Sequence, residues 1–113
     1  MNRKITLTRR LTLEMRQDTP DASGGYKTVW VRVGEIWADV SIRMGREDFI
    51  AAEERPRVRY RMIVRAAPVG APARPRPDQR LRDGTRIFDI LTVAEHDAYG
   101  RYLEVLVEEG IYP

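Results

Sequence analysis

The sequence predicts a single all-β domain over residues 1–113: a β-barrel or sandwich of five to six antiparallel strands, with one short helical insert and a long Pro/Arg-rich loop. Three features carry this. Apolar and polar residues alternate at a period of two through most of the chain, the spacing that sends side chains to opposite faces of a strand. The alternation changes phase inside the longest run, as a bulged and bent strand requires. Clusters of Gly, Asp, Ser and Pro cut the runs into short lengths.

The first strand covers about Lys4 to Met15. Ile5, Leu7, Leu11, Leu13 and Met15 share one face, interrupted by Arg9, while Lys4, Thr6, Thr8, Arg10, Thr12 and Glu14 share the other. Turn residues from Gln17 to Gly25 then predict a loop. A second strand runs from near Lys27 to about Arg43. Val29, Val31 and Val33 are apolar at odd positions, Ile36, Ala38, Val40 and Ile42 at even ones. One inserted residue near Gly34-Glu35 explains the change, because glycine tolerates the dihedrals of a bulge.

Gly45 to Arg55 reads as a short helix, with Glu47 and Asp48 at its amino-terminal end and Pro56 stopping it. The third strand places Val58, Tyr60, Met62 and Val64 on one face and Arg57, Arg59, Arg61, Ile63 and Arg65 on the other. Residues 66–80 hold Pro68, Pro72, Pro75 and Pro77 and little that could pack, which predicts an extended loop or arm. Asp83-Gly84 marks a tight turn into a strand through Ile87 to Val93. A polar link then leads to a last strand with Leu103, Val105 and Val107 on its inner face. No repeat or linker divides the chain, so one core is expected.

The charge is +3, from 20 basic and 17 acidic residues, and Lys4 and Lys27 are the only lysines. Arginine suits carboxylate and phosphate alike, so composition does not separate subunit contacts from nucleic acid. Without cysteine there are no disulfides, thiolate metal sites or cysteine nucleophiles. No apolar run approaches the roughly 20 residues that cross a bilayer, and MNRKITLTRR lacks the apolar block of a signal peptide, so a cytoplasmic protein without a membrane partner is expected.

Catalysis finds little support. His96, the only histidine, lies in a polar stretch without a motif. The carboxylate pairs Glu53-Glu54 and Glu108-Glu109 are adjacent, and neighbours on a strand point to opposite faces. Neither an enzyme nor a cofactor is expected. Two basic features remain. Arg57, Arg59, Arg61 and Arg65 project from one strand face, and Glu104 and Glu108 offer matching acids on the last strand, which makes all six candidate subunit-interface charges. A phosphate-contacting ridge is the alternative. Pairing is preferred, because exposed charge rows on strands are commonly solvated or paired. Arg74, Arg76, Arg80 and Arg82, against Asp78 alone, give the Pro-rich stretch a local charge of +3 and form a candidate loop that could reach a nucleic-acid groove, a DNA end or a partner subunit.

The order of these features resembles the phage head–tail joining family, which includes head-closure (stopper) and adaptor proteins. The resemblance runs from Leu11 to Glu109. It rests on Leu11-Thr12-Leu13, Asp21-Ala22-Ser23-Gly24-Gly25, Val33-Gly34-Glu35-Ile36-Trp37-Ala38-Asp39-Val40, Gly45-Arg46-Glu47 and Ala51-Ala52. It continues through Tyr60-Arg61-Met62-Ile63-Val64-Arg65, Asp83-Gly84-Thr85-Arg86-Ile87-Phe88-Asp89-Ile90 and Tyr102-Leu103-Glu104-Val105. It implies a small β-barrel assembling as a ring of six or twelve, with a portal or adaptor ring above and a tail-terminator or tail-tube protein below. It also implies non-specific contact with packaged double-stranded DNA through a loop that closes the channel. Residues 66–79 depart from the family pattern in being longer and richer in Pro and Arg, so the insert with Arg46, Glu47, Asp48 and Phe49 is a rival gating element. The expected location is the neck of a phage or gene transfer agent particle assembled in a bacterial cytoplasm. A tail-terminator ring protein and a monomeric nucleic-acid-binding β-barrel are the alternatives.

Overall fold

The computed structural model describes residues 4–43 and 57–110. Six strands form one antiparallel sheet: β1 (Arg9–Pro20), β2 (Tyr26–Arg43), β3 (Arg57–Arg65), β4 (Arg80–Asp83), β5 (Arg86–Glu95) and β6 (Tyr102–Gly110). Their order is β1-β2-β3-β6-β5-β4, and β4 pairs back onto β1 to close a barrel. The all-β expectation holds. The expected helix at Gly45–Arg55 lies outside the described residues, which contain no helix.

The core is the inward phase of every strand. Leu11 and Leu13 meet Ala38, Met62, Val64, Leu81, Phe88, Ile90, Leu103, Val105 and Val107, each nearly or fully buried. Val33, Ile36, Val40, Tyr60 and Val93 pack against this cluster.

Both breaks in alternation are bulges. Leu13 pairs with Gly34 while Glu14 pairs with Arg32, which leaves Val33 as the extra residue, next to the expected Gly34-Glu35 position. A second lies on β5, where Ile90 pairs with Val107 and Thr92 with Leu106, leaving Leu91 extra. It moves the core-facing phase from Phe88 and Ile90 to Val93. Bulges increase local twist and bend a strand, which helps six strands to close.

The first strand is displaced from its expected limits. Ile5 and Leu7 precede it, and Thr6 donates its backbone N–H to Asp39 Oδ2 at 2.9 Å, drawing the segment before β1 against β2. At its other end β1 continues through Gln17–Pro20, where a loop was expected. Pairing with β2 overrides the turn-prone composition: Thr28 Oγ1 donates to Asp18 Oδ1 at 2.8 Å and Thr19 Oγ1 to the Lys27 carbonyl at 3.2 Å. The turn contracts to Asp21–Gly25, where Asp21 Oδ1 accepts from the N–H groups of Ser23 and Gly25 and Gly24 adopts φ +84°.

The hairpin therefore outruns the barrel. β4 pairs with β1 only at Thr12–Glu14, and β3 pairs with β2 only from Ala38 onward. Met15–Pro20 and Tyr26–Val31 pair only with each other among the described residues, as a two-stranded ribbon. The Cα radius of gyration, 15.6 Å, exceeds the roughly 13 Å of a compact chain this long. Val31, expected on an apolar face, is exposed here, and Ile42 is exposed at the far end of β2.

Candidate functional site

One end of the barrel is sealed by polar residues in core phase. Arg9 donates through Nε and Nη2 to Asp83 Oδ2 at 3.0 and 2.8 Å. Arg86 grips Glu109 with two bonds, at 2.8 and 2.9 Å, and donates to the Tyr60 hydroxyl at 3.2 Å. Beneath them lies Phe88, with the Arg86 guanidinium 5.0 Å from its ring centroid and Tyr60 edge-on at 5.5 Å. The Arg86 hydrogen bonds hold the Glu109 carboxyl below the ordinary range against the opposing effect of burial. Sequence reasoning did not foresee this plug. Its signal was charge at inward positions: Arg9 ahead of Leu11 and Leu13, and Glu109 following Leu103, Val105 and Val107.

The expected charged ladder on β3 and β6 forms within the chain. Glu108 accepts from Arg57 Nη1 and, at 3.3 Å, from Arg59 Nε, and Arg61 Nε lies 3.7 Å from Glu104 Oε1. Burial raises the Glu108 carboxyl, but the bonds from Arg57 and Arg59 outweigh it, so the group stays below the ordinary range. Arg65, at the end of the row, is exposed and has no carboxylate within 4.0 Å among the described residues. Ile63, on the same outward phase, is nearly fully buried beside Asp39, its partner on β2.

The Pro-rich segment is folded onto the barrel through turns. Ala71 N–H bonds to the Pro68 carbonyl, Arg74 N–H to Ala71 and Gln79 N–H to Arg76, at 3.0–3.1 Å. Pro75 is fully buried, so the stretch expected to hold little that could pack contributes at least this residue to the interior. The four arginines separate into two pairs. Arg74 Nη1 donates to the Ala67 carbonyl at 3.0 Å, and Arg76 is exposed. Arg80 and Arg82 belong to β4 and share Glu14: Arg80 Nε to Glu14 Oε1 is 2.7 Å and Arg82 Nε to Oε2 is 3.4 Å. Arg80 also stacks over Trp30, 4.2 Å from the ring centroid. Counting Asp78 as the only compensating acid missed Glu14, a residue far away in sequence and brought alongside by barrel closure.

The candidates Arg46, Glu47, Asp48 and Phe49 lie outside the described residues. His96 Nδ1 is 3.9 Å from Glu104 Oε2, and no group of three or more His, Cys, Asp or Glu among the described residues is arranged to hold a metal ion. Where the β2–β3 ladder ends, at Ala38–Val64, a cleft of about 410 Å³ opens, lined by Leu7, Glu35, Ile36, Trp37, Arg65 and Ala73.

This architecture has counterparts. Residues 3–110 match the model of a family described as phage head completion protein. A chain from the virion of a native gene transfer agent particle is 40% identical, with 99% of this chain and all of that one covered at a TM-score of 0.81. Protein SF1141 of Shigella flexneri 2a is 20% identical over 95% of this chain and 96% of its own, at a TM-score of 0.67, a likeness of fold alone. Among curated proteins nothing matches. With almost its whole length matched, the chain belongs to the phage head completion protein family, structural proteins of the virion's head–tail junction and not enzymes.

Proposed function

We propose that the chain is the repeating subunit of a ring that closes or connects the DNA channel between a portal or adaptor ring and the tail of a phage-like particle, a gene transfer agent included. The observation that carries this reading is the end-to-end likeness, at 40% identity, to a chain of a native gene transfer agent virion. The barrel supplies a rigid body, since its core is continuous and one end is sealed by the Arg86–Glu109 and Arg9–Asp83 pairs. The action is steric: subunits surround the lumen, and a loop from each blocks or opens it.

The charges divide within this reading. Arg57, Arg59 and Arg61 reach Glu104 or Glu108 of the same chain and stiffen the β3–β6 seam; any role between subunits falls to their exposed flanks. Arg80 and Arg82 are taken up by Glu14. Of the arginines singled out above, Arg65, Arg74 and Arg76 have no carboxylate within 4.0 Å among the described residues and are left for duplex DNA or a neighbouring ring.

Electron microscopy of the purified full chain, alone and mixed with portal complexes, tests the proposal. Discrete annuli, or annuli seated on portals, are expected. Monomers that ignore portals, yet bind short oligonucleotides in a salt-dependent way, would refute it in favour of a monomeric nucleic-acid-binding barrel.

A further inference from the structure

The ribbon of Met15–Pro20 and Tyr26–Val31 presents an anomaly. One of its faces continues the core phase of Leu13 beyond the barrel, so Met15, Val29 and Val31 lie where the pattern calls for burial. Met15 is 36% and Val31 37% exposed, and no other described strand pairs with the ribbon on either side. A lone two-stranded hairpin is marginal in water, and three or more strands or a packing partner are needed to stabilise one.

The same chain carries a second apolar feature with nothing over it among the described residues. At the cleft where β2 and β3 diverge, Trp37 is 50% exposed beside Leu7, Ile36 and Ala73, with Glu35 and Arg65 as a polar rim. An apolar floor with a polar rim is the usual anatomy of a protein interface. A chain's own ribbon does not reach this cleft. Val31 and Trp37 are six residues apart on one strand, about 20 Å at extended rise. Any ribbon seated in the cleft comes from another molecule.

We infer that the apolar face of the ribbon, at Met15, Val29 and Val31, docks in the Leu7–Ile36–Trp37–Ala73 cleft of a second copy of this chain. The inference rests on the ring reading and assigns it a contact surface. Two unlike patches on one chain make a head-to-tail contact, which generates a ring when the rotation from copy to copy closes the circle. Size argues likewise. Six residues of a two-stranded ribbon present a face of roughly 20 by 10 Å, well below the ~800 Å² per partner of a stable isolated pair. In a closed ring each subunit makes two such contacts, so dissociating any one requires breaking both.

Complementation of purified full-length variants tests this, read by native mass spectrometry and light scattering. Met15→Glu/Val31→Glu spoils the ribbon and leaves the cleft; Trp37→Glu does the reverse. Each alone is expected to stay monomeric to about a hundredfold higher concentration than wild type. Mixed in equal amounts at concentrations far above those that assemble wild type, they should form weak 1:1 dimers, since one good ribbon then meets one good cleft and nothing propagates. Circular dichroism establishes that each variant is folded. As a second measurement, Val31→Cys/Trp37→Cys in this cysteine-free chain should give a covalent ladder on oxidation, whereas either cysteine alone should not.

If wild type assembles and the variants still do, or the mixture stays monomeric even at those high concentrations although both variants are folded, the ribbon–cleft pairing is wrong while the ring reading stands. A double-cysteine protein that assembles without cross-linking overturns the pairing in the same way. If wild type is monomeric at every concentration, with and without portal, ring and pairing fall together.

Discussion

Replacing Glu109 by Gln removes the negative partner of Arg86 while keeping the shape of the plug. Its carboxylate takes two guanidinium bonds and a 3.4 Å bond from the Tyr60 hydroxyl, with the Glu109 side chain only 12% exposed and that of Arg86 42%. Breaking a fully buried pair costs about 3–5 kcal/mol. The partial exposure of Arg86 screens the charge left behind, which brings the expected loss to about 2 kcal/mol. For a domain of this length that lowers Tm by roughly 8 °C.

The pH dependence separates this cause from a packing defect. Because the folded state holds the Glu109 carboxyl below its ordinary value, its contribution is complete above the unfolded group's titration near 4.5. It fades as pH falls through the lower folded value. Thermal unfolding of wild type and Glu109→Gln at fixed protein concentration should show the full gap at pH 7 and a gap that narrows progressively as the pH falls through the acidic range below 4.5. A gap that stays constant until the wild type itself is acid-unfolded would refute the electrostatic account, and no gap at pH 7 would refute the plug.

Phe88→Ala empties the centre of the barrel beneath Arg86 and Tyr60, and should cost about 3–5 kcal/mol in denaturant unfolding. Glu14→Gln leaves Arg80 and Arg82 without their shared carboxylate; a loss of about 1–3 kcal/mol is expected, with tighter binding of duplex DNA at low salt. Should Arg74 and Arg76 touch packaged DNA, Arg74→Gln/Arg76→Gln would reduce the slope of log affinity against log salt by about two; an unchanged slope would remove them from the DNA surface.

Alternating residues made most of this fold legible. The inward phases of the strands at Leu11 and Leu13, Ala38 and Val40, Met62 and Val64, and Leu103 to Val107 all reach the core. The phase change between Val33 and Ile36 marked a bulge that is present at Val33. The bulge at Leu91 escaped notice because Ile90-Leu91 is apolar on both sides of the step, which blurs the alternation. Strand limits failed where composition and pairing disagree. Gln17–Pro20 has the residues of a loop, yet a register-matched partner across the hairpin keeps it extended.

The charges show the same boundary. Local order determined that Arg57, Arg59 and Arg61 share a face with Glu104 and Glu108 opposite, because a strand's period and its antiparallel partner suffice to align them. Only barrel closure brought Glu14 alongside Arg80 and Arg82 and Asp83 to Arg9, while the β5–β6 pairing brought Glu109 to Arg86, turning residues that looked available into parts of the frame. Sequence thus decided the phase of every strand except beyond the bulge on β5, since phase depends on neighbours two residues away. The tertiary structure decided which arginines and which apolar residues remain exposed, since that depends on which distant strands meet and where the sheet stops.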